Sequence, residues 1–120
     1  MTAFFIAEAL DMQVVTFDQV CVETLRTEEH NQALLALLET HNAKIVCNLA
    51  STTEMSLDWA RFLAHLQAKA DAKPACQFAL LGVKSPLKEQ FQKYGIASIF
   101  KYIKTLNGFG APKAFDPFEL

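Results

Sequence analysis

Glycine and proline are scarce, four of each in 120 residues. Gly82, Gly95, Gly108 and Gly110 are too scattered to build a phosphate-cradling loop. No G-x-x-x-x-G-K-[ST], G-x-G-x-x-G or H-E-x-x-H pattern occurs. Cysteine is also sparse. Cys21, Cys47 and Cys76 cannot all pair within one chain, and none has C-x-x-C spacing. Cys47 and Cys76 lie in apolar runs, so they read as buried free thiols that pack like small hydrophobes. A reducing cytoplasm suits them. No apolar run approaches the ~18 residues of a membrane span. The N-terminus has no basic stretch, and Glu8 and Asp11 interrupt it early, unlike a signal peptide. Neither charge dominates: 11 Lys and Arg stand against 13 Asp and Glu, a net of −2. A nonspecific nucleic-acid surface needs clustered basic excess, so no direct nucleic-acid partner is expected. A local basic patch is still compatible with this balance.

Chemistry-bearing clusters are equally thin. His30, His41 and His65 fall on expected helix surfaces and read as solvent-facing. A His30/His41 metal pair fails on spacing, since the two would stand about 16 Å apart along a helix. No catalytic residue, metal or cofactor is expected, and the chain reads as something other than an enzyme.

What is present is the composition of one globular domain, 52% apolar and 20% charged. At this size about two-thirds of the unfolded chain's surface can be buried, so no disulfide or metal staple is needed. Ten Phe and Trp59 supply bulky core volume.

Strands and helices alternate along the chain. Residues 3–10 and 12–17 are short runs of β-formers, with Leu10-Asp11-Met12 as the turn. Residues 20–25 are compatible with an extension of the second strand. Thr27 offers an N-cap hydroxyl, with Glu28 and Glu29 in the first turn of a helix that should run to about His41. Its inward positions are Ala33, Leu34, Leu37 and Leu38, and Asn42 is a plausible stop. Lys44 to Leu49 is a continuous apolar strand, as expected when both faces are covered. Trp59, Phe62, Leu63, Leu66 and Ala70 then mark one face of an amphipathic helix. Asp58 reads as its N-cap; Arg61, His65 and Lys69 lie opposite, and Lys73-Pro74 ends it. Gln77 to Val83 is a second buried strand. Ser85-Pro86 reads as N-cap and N1 of a short helix, with Leu87, Phe91 and Tyr94 inward and Gly95 at C′. Over Ile96 to Leu106 two readings fit: a helix by spacing, or an edge strand over Phe100 to Thr105. Residues 107–120 have no clear period. The expected fold is α/β, a mixed sheet of four to five strands with helices mainly on one side, over residues 1–106. Residues 107–120 form an irregular tail.

The polar turn Ser51-Thr52-Thr53-Glu54-Met55-Ser56-Leu57-Asp58 follows a buried strand and opens a helix. That is where α/β folds place function. Ordinary capping would also favour Ser, Thr and Asp there. Met55 and Leu57, read as exposed apolar residues among hydroxyls and acids, suit a partner-contact loop.

The stretch from Val14 to about Thr105 resembles a STAS domain, the fold shared by anti-sigma factor antagonists and sulphate transporter cytoplasmic domains. The resemblance rests on four segments: Asn48-Leu49 at a strand end, the turn Ala50 to Met55, the run Phe78 to Pro86, and Tyr94-Gly95-Ile96 to Phe100. The family's Asp-Ser-[Ser/Ala/Thr]-Gly-Leu positions hold Ser56, Leu57, Asp58, Trp59 and Ala60. The resemblance implies a cytoplasmic, bacterial regulatory domain that works by protein–protein contact in signal transduction and transcription regulation. It implies a serine kinase/anti-sigma-type ATPase, or another signalling protein, as partner. Relatives are phosphorylated on the Ser that Asp58 replaces. A carboxylate carries about one negative charge against about −1.5 to −2 for a phosphate, and it cannot be toggled. The domain is then a constitutive phospho-mimic, or it has lost the switch. Ser56, at the family's Asp position, is the other candidate for phosphorylation. Thr53, Glu54, Met55, Leu57, Asp58 and Arg61 are the expected partner-binding residues. The family's final helix is missing. Phe109, Phe115 and Phe118 stand in its place, to cover the domain or to dock on a partner. Two rival readings are a STAS module of a transporter or lipid-trafficking ABC complex (or a small-ligand or nucleotide-binding domain), and a homodimer that swaps its tail.

Overall fold

Two adjacent runs of β-formers pair first. In the computed structural model, which describes residues 4–9, 11–17, 25–39 and 43–106, β1 (Phe4–Ala9) and β2 (Met12–Phe17) form an antiparallel hairpin with Ala9 opposite Met12. Asp11 in the turn has φ 65°, a left-handed conformation that Asp enters more readily than most residues. β3 (Lys44–Asn48), β4 (Gln77–Leu81) and β5 (Tyr102–Ile103) follow in parallel, and the sheet order is β1-β2-β3-β4-β5. The crossovers carry α1 (Glu28–Leu38), α2 (Leu57–Asp71) and α3 (Ser85–Lys93). Strand order advances steadily in one direction. Crossovers of one hand therefore put all three helices on the same face.

That face holds the main core. Val15, Phe17, Ile45, Cys47, Phe78 and Leu80 point into it from the sheet, and Leu34, Leu38, Trp59, Leu63, Leu87 and Phe91 from the helices. Alternate residues point the other way, and Met12, Val46 and Ala79 form a second buried cluster. Burial on both faces explains why β3 and β4 read as unbroken apolar runs.

Helix boundaries follow their caps. Thr27 Oγ1 accepts from the His30 N–H at 3.2 Å, and His30 Nδ1 accepts from the Thr27 N–H at 3.1 Å, a reciprocal capping box. Leu34 and Leu38 are buried and Leu37 half-buried, but Ala33 is exposed, outside the inward stripe read from the sequence. All five residues of the expected apolar face of α2 are buried. Gln67 is buried with them: its amide donates to Asp71 Oδ1 at 3.0 Å and its carbonyl accepts from the Lys101 N–H at 3.3 Å. α3 begins at Ser85, so Lys84 is its N-cap and Pro86 sits inside the first turn. Proline is harmless there because the first N–H groups of a helix have no intrahelical acceptor. Gly95, with φ +77°, ends α3 as expected. Beyond it a 3-10 turn (Ala97–Ile99) leads into β5, so the edge-strand reading holds, shortened to two residues. The expectations for residues 20–24, for the end of α1 at 40–42 and for the 107–120 tail, with Cys21, His41, Phe109, Phe115 and Phe118, lie outside the described residues.

Candidate partner-binding site

The loop between β3 and α2 is fastened at several points. The Leu49 N–H donates to the Leu81 carbonyl at 2.8 Å, and the Ala50 N–H donates to Asn48 Oδ1 at 3.1 Å. Thr52 is buried, and its hydroxyl donates to the Phe17 carbonyl at 3.4 Å, tying the loop to the end of β2. Gly82, with φ +74°, lets β4 pass close beneath: a Cβ there would lie 3.0 Å from that of Ala50. α3 grips the main chain of Met55 on both sides. Gln90 Oε1 accepts from its N–H at 2.7 Å, and the Tyr94 hydroxyl donates to its carbonyl at 3.0 Å. The Met55 side chain is buried in the core (1% exposed). This corrects its reading as an exposed partner-binding residue: an apolar side chain fixed at both main-chain groups turns inward rather than to solvent.

The cap of α2 is also corrected. Ser56 is extended (φ −66°, ψ 156°), and its Oγ accepts from the Trp59 N–H at 3.2 Å. Ser56, not Asp58, is therefore the N-cap. Asp58 lies in the first turn, where its charge still favours the helix dipole. It meets a partner that the sequence did not announce. Arg26, just before α1, donates Nε to Oδ2 and Nη2 to Oδ1 of Asp58, both at 2.9 Å. The same guanidinium donates Nη1 to Asn31 Oδ1 and lies 4.7 Å over the Phe62 ring. These bonds hold the Asp58 carboxyl below the usual carboxylate range, helped by the nearby charge of Arg61, and push Arg26 further up. Arg26 is 32 positions away in no motif, so only the fold reveals it.

Thr53, Glu54, Leu57, Asp58 and Arg61 are exposed, and Ser56 is half-buried. Leu25 (84% exposed) and Leu57 (42% exposed) adjoin the two members of the ion pair. The fold thus brings together most of the expected loop and adds Leu25 and Arg26. His30, expected in solvent, is half-buried, its ring 5.3 Å from that of Trp59 and 5.6 Å from that of Phe4. His65 is exposed. Cys47 is buried and free, and desolvation pushes its thiol well above the ordinary range, which makes it a poor nucleophile. Cys76 is free and half-buried, its thiol 3.8 Å from the Leu38 carbonyl. Among the described residues, no helix is long and apolar enough to cross a membrane.

The strand order, the mixed five-stranded sheet and the three helices on one face define a STAS-like fold. A solved anti-sigma-factor antagonist (STAS) domain protein from Planctomyces limnophilus superposes with a TM-score of 0.70 at 17% identity, over 88% of this chain and 92% of that one. No family model and no curated protein matches the sequence.

Proposed function

We propose that the chain is a regulatory protein–protein interaction domain of the anti-sigma-antagonist kind. Its contact surface is the mouth of α2: Thr53, Glu54, Leu57, Asp58 and Arg61, joined by Leu25 and Arg26. The observation that carries this reading is the bidentate Arg26–Asp58 pair with exposed leucines beside both members. An arginine held rigid by a carboxylate and flanked by apolar side chains is the kind of anchor that dominates binding energy at interfaces. The fold of the solved anti-sigma-factor antagonist supports the class. The partner is a serine kinase/anti-sigma-type ATPase or another bacterial signalling protein, in the cytoplasm.

The pair also bears on the two readings of Asp58. A carboxylate already matched by Arg26 shows a partner little net charge. It does not present the excess negative charge of a phosphate. This favours a lost switch, with the surface kept for constitutive contact, over a phospho-mimic. Ser56 keeps a hydroxyl at the same mouth, in a capping role.

The test is affinity capture with the full chain, followed by titration of the captured protein. Leu57→Asp is expected to weaken binding at least tenfold with an unchanged circular dichroism spectrum, while Lys69→Ala, farther along α2, leaves it intact. Equal binding by both variants refutes the surface.

A further inference from the structure

β1 and β5 stand at the two ends of the sheet, and they differ as edges. β5 is two residues long, both half-buried, with exposed Lys101 and Lys104 on either side. Short length and flanking lysines keep a strand edge from pairing with another chain. β1 has neither protection. It runs six residues without proline or glycine, and its register with β2 is unbroken from Phe4 to Ala9. Glu8 is its one charged residue. Phe5 is 61% exposed and Ile6 38%, and Ala7 beside them is exposed too. Alternate residues of an antiparallel edge strand turn their main-chain N–H and C=O away from the neighbour. Among the described residues no strand stands beyond β1 to receive them.

We propose that β1 pairs antiparallel with β1 of a second copy, about a two-fold axis normal to the sheet, so that two five-stranded sheets become one. Residues directly opposed in such a pair point to the same face. Phe4 and Ile6 lie opposite Phe17 and Val15 of the main core, on the helix side, while Phe5 and Ala7 lie opposite Thr16 and Val14, on the other. Each allowed register is therefore centred on one residue opposed to its own copy. Centred on Ile6, the pairing sets Ile6 against Ile6 on the helix side and Phe5 against Ala7 on the other. It covers the exposed apolar side chains on both faces and keeps the two Glu8 carboxylates roughly 13 Å apart along the strands. Centred on Glu8, it would oppose two like charges. A net charge of −2 raises little repulsion between copies. A second copy brings the same apolar, bond-seeking edge, and an isologous pair closes both edges at once. One strand pair is a small interface, so the dimer forms in a concentration-dependent way. The two-fold leaves both helix layers, and both mouths of α2, on the same side of the joined sheet.

Sedimentation velocity of the full chain tests the proposal. The mean sedimentation coefficient is expected to rise from monomer toward dimer between about 10 and 500 µM, the range in which small interfaces associate. Phe5→Lys and Ile6→Lys, both at exposed positions, should each weaken the dimer by roughly tenfold or more, because the two-fold counts every change twice. Their circular dichroism should be unchanged. In a mixed-label wild-type sample, nuclear Overhauser contacts should join the Ile6 methyls of one copy to β1 of the other. A monomer over the whole range, a dimer that survives both lysine variants, or contacts between copies that avoid β1 would each overturn the proposal. Leu57→Asp should dimerise like the wild type, so this proposal and the reading of the α2 mouth fail separately.

Discussion

Arg26 and Asp58 meet through two parallel N–H···O bonds of 2.9 Å each, and so join the entry of α1 to the first turn of α2. Asp58 is largely exposed, so the pair is worth less than a buried one. A double-mutant cycle of Arg26→Ala and Asp58→Ala, read by urea unfolding, should give a coupling of about 0.5–1 kcal/mol. Arg26→Ala should cost more than Asp58→Ala because it also removes the guanidinium from the Phe62 ring.

The same pair sets a pH dependence. Arg26 lowers the folded pKa of Asp58 below its unfolded value, which lies near ~3.9. The unfolded chain therefore takes up the proton first as pH falls. The stabilisation is fully present above about pH 4–5 and is lost as pH falls through the folded value. An NMR titration of the Asp58 carboxyl should show its midpoint rise in Arg26→Ala. An unmoved midpoint would show that the bonds do not persist in solution.

Cap assignment separates two neighbouring residues. Ser56→Ala should destabilise by about 1 kcal/mol, because it removes the capping bond between the Trp59 N–H and Ser56 Oγ. Ser56→Asp should retain most of that stability, since Asp also caps well. Thermal denaturation of the two variants at pH 7 reads the difference.

Two left-handed glycines should differ in cost. Gly95→Ala meets nothing within 4 Å and should lose only the ~1–2 kcal/mol of backbone strain. Gly82→Ala adds a collision with Ala50 and should lose more, together with partner affinity, as the loop shifts. Unfolding free energies of both, and binding by Gly82→Ala, check this.

The α3 props should matter to binding more than to stability. Tyr94→Phe and Gln90→Ala each remove one bond to the Met55 main chain, at about 1 kcal/mol apiece. Calorimetric titration of the double variant should show weaker partner affinity at temperatures where it stays folded.

The local pattern carried the fold well. The spacing of Trp59, Phe62, Leu63, Leu66 and Ala70 defines the buried face of α2, and the unbroken runs over 44–49 and 77–83 announce strands covered on both sides. Local competition limited the rest. Ser56 and Asp58 are both good caps two residues apart, and the backbone conformation at Ser56 decides between them. Met55 among polar residues looked exposed, because the groups that draw it inward, Gln90 and Tyr94, are 35 and 39 positions away. Arg26 was illegible for the same reason, as its partner is fixed by the docking of α1 beside α2.

The loop's path is set by main-chain groups of Met55, by Thr52 facing inward and by Gly82 beneath, while Glu54 and Leu57 face outward. Backbone course and surface chemistry are thereby separated. Replacing the two outward residues can therefore change the chemistry of this surface without asking the scaffold to refold.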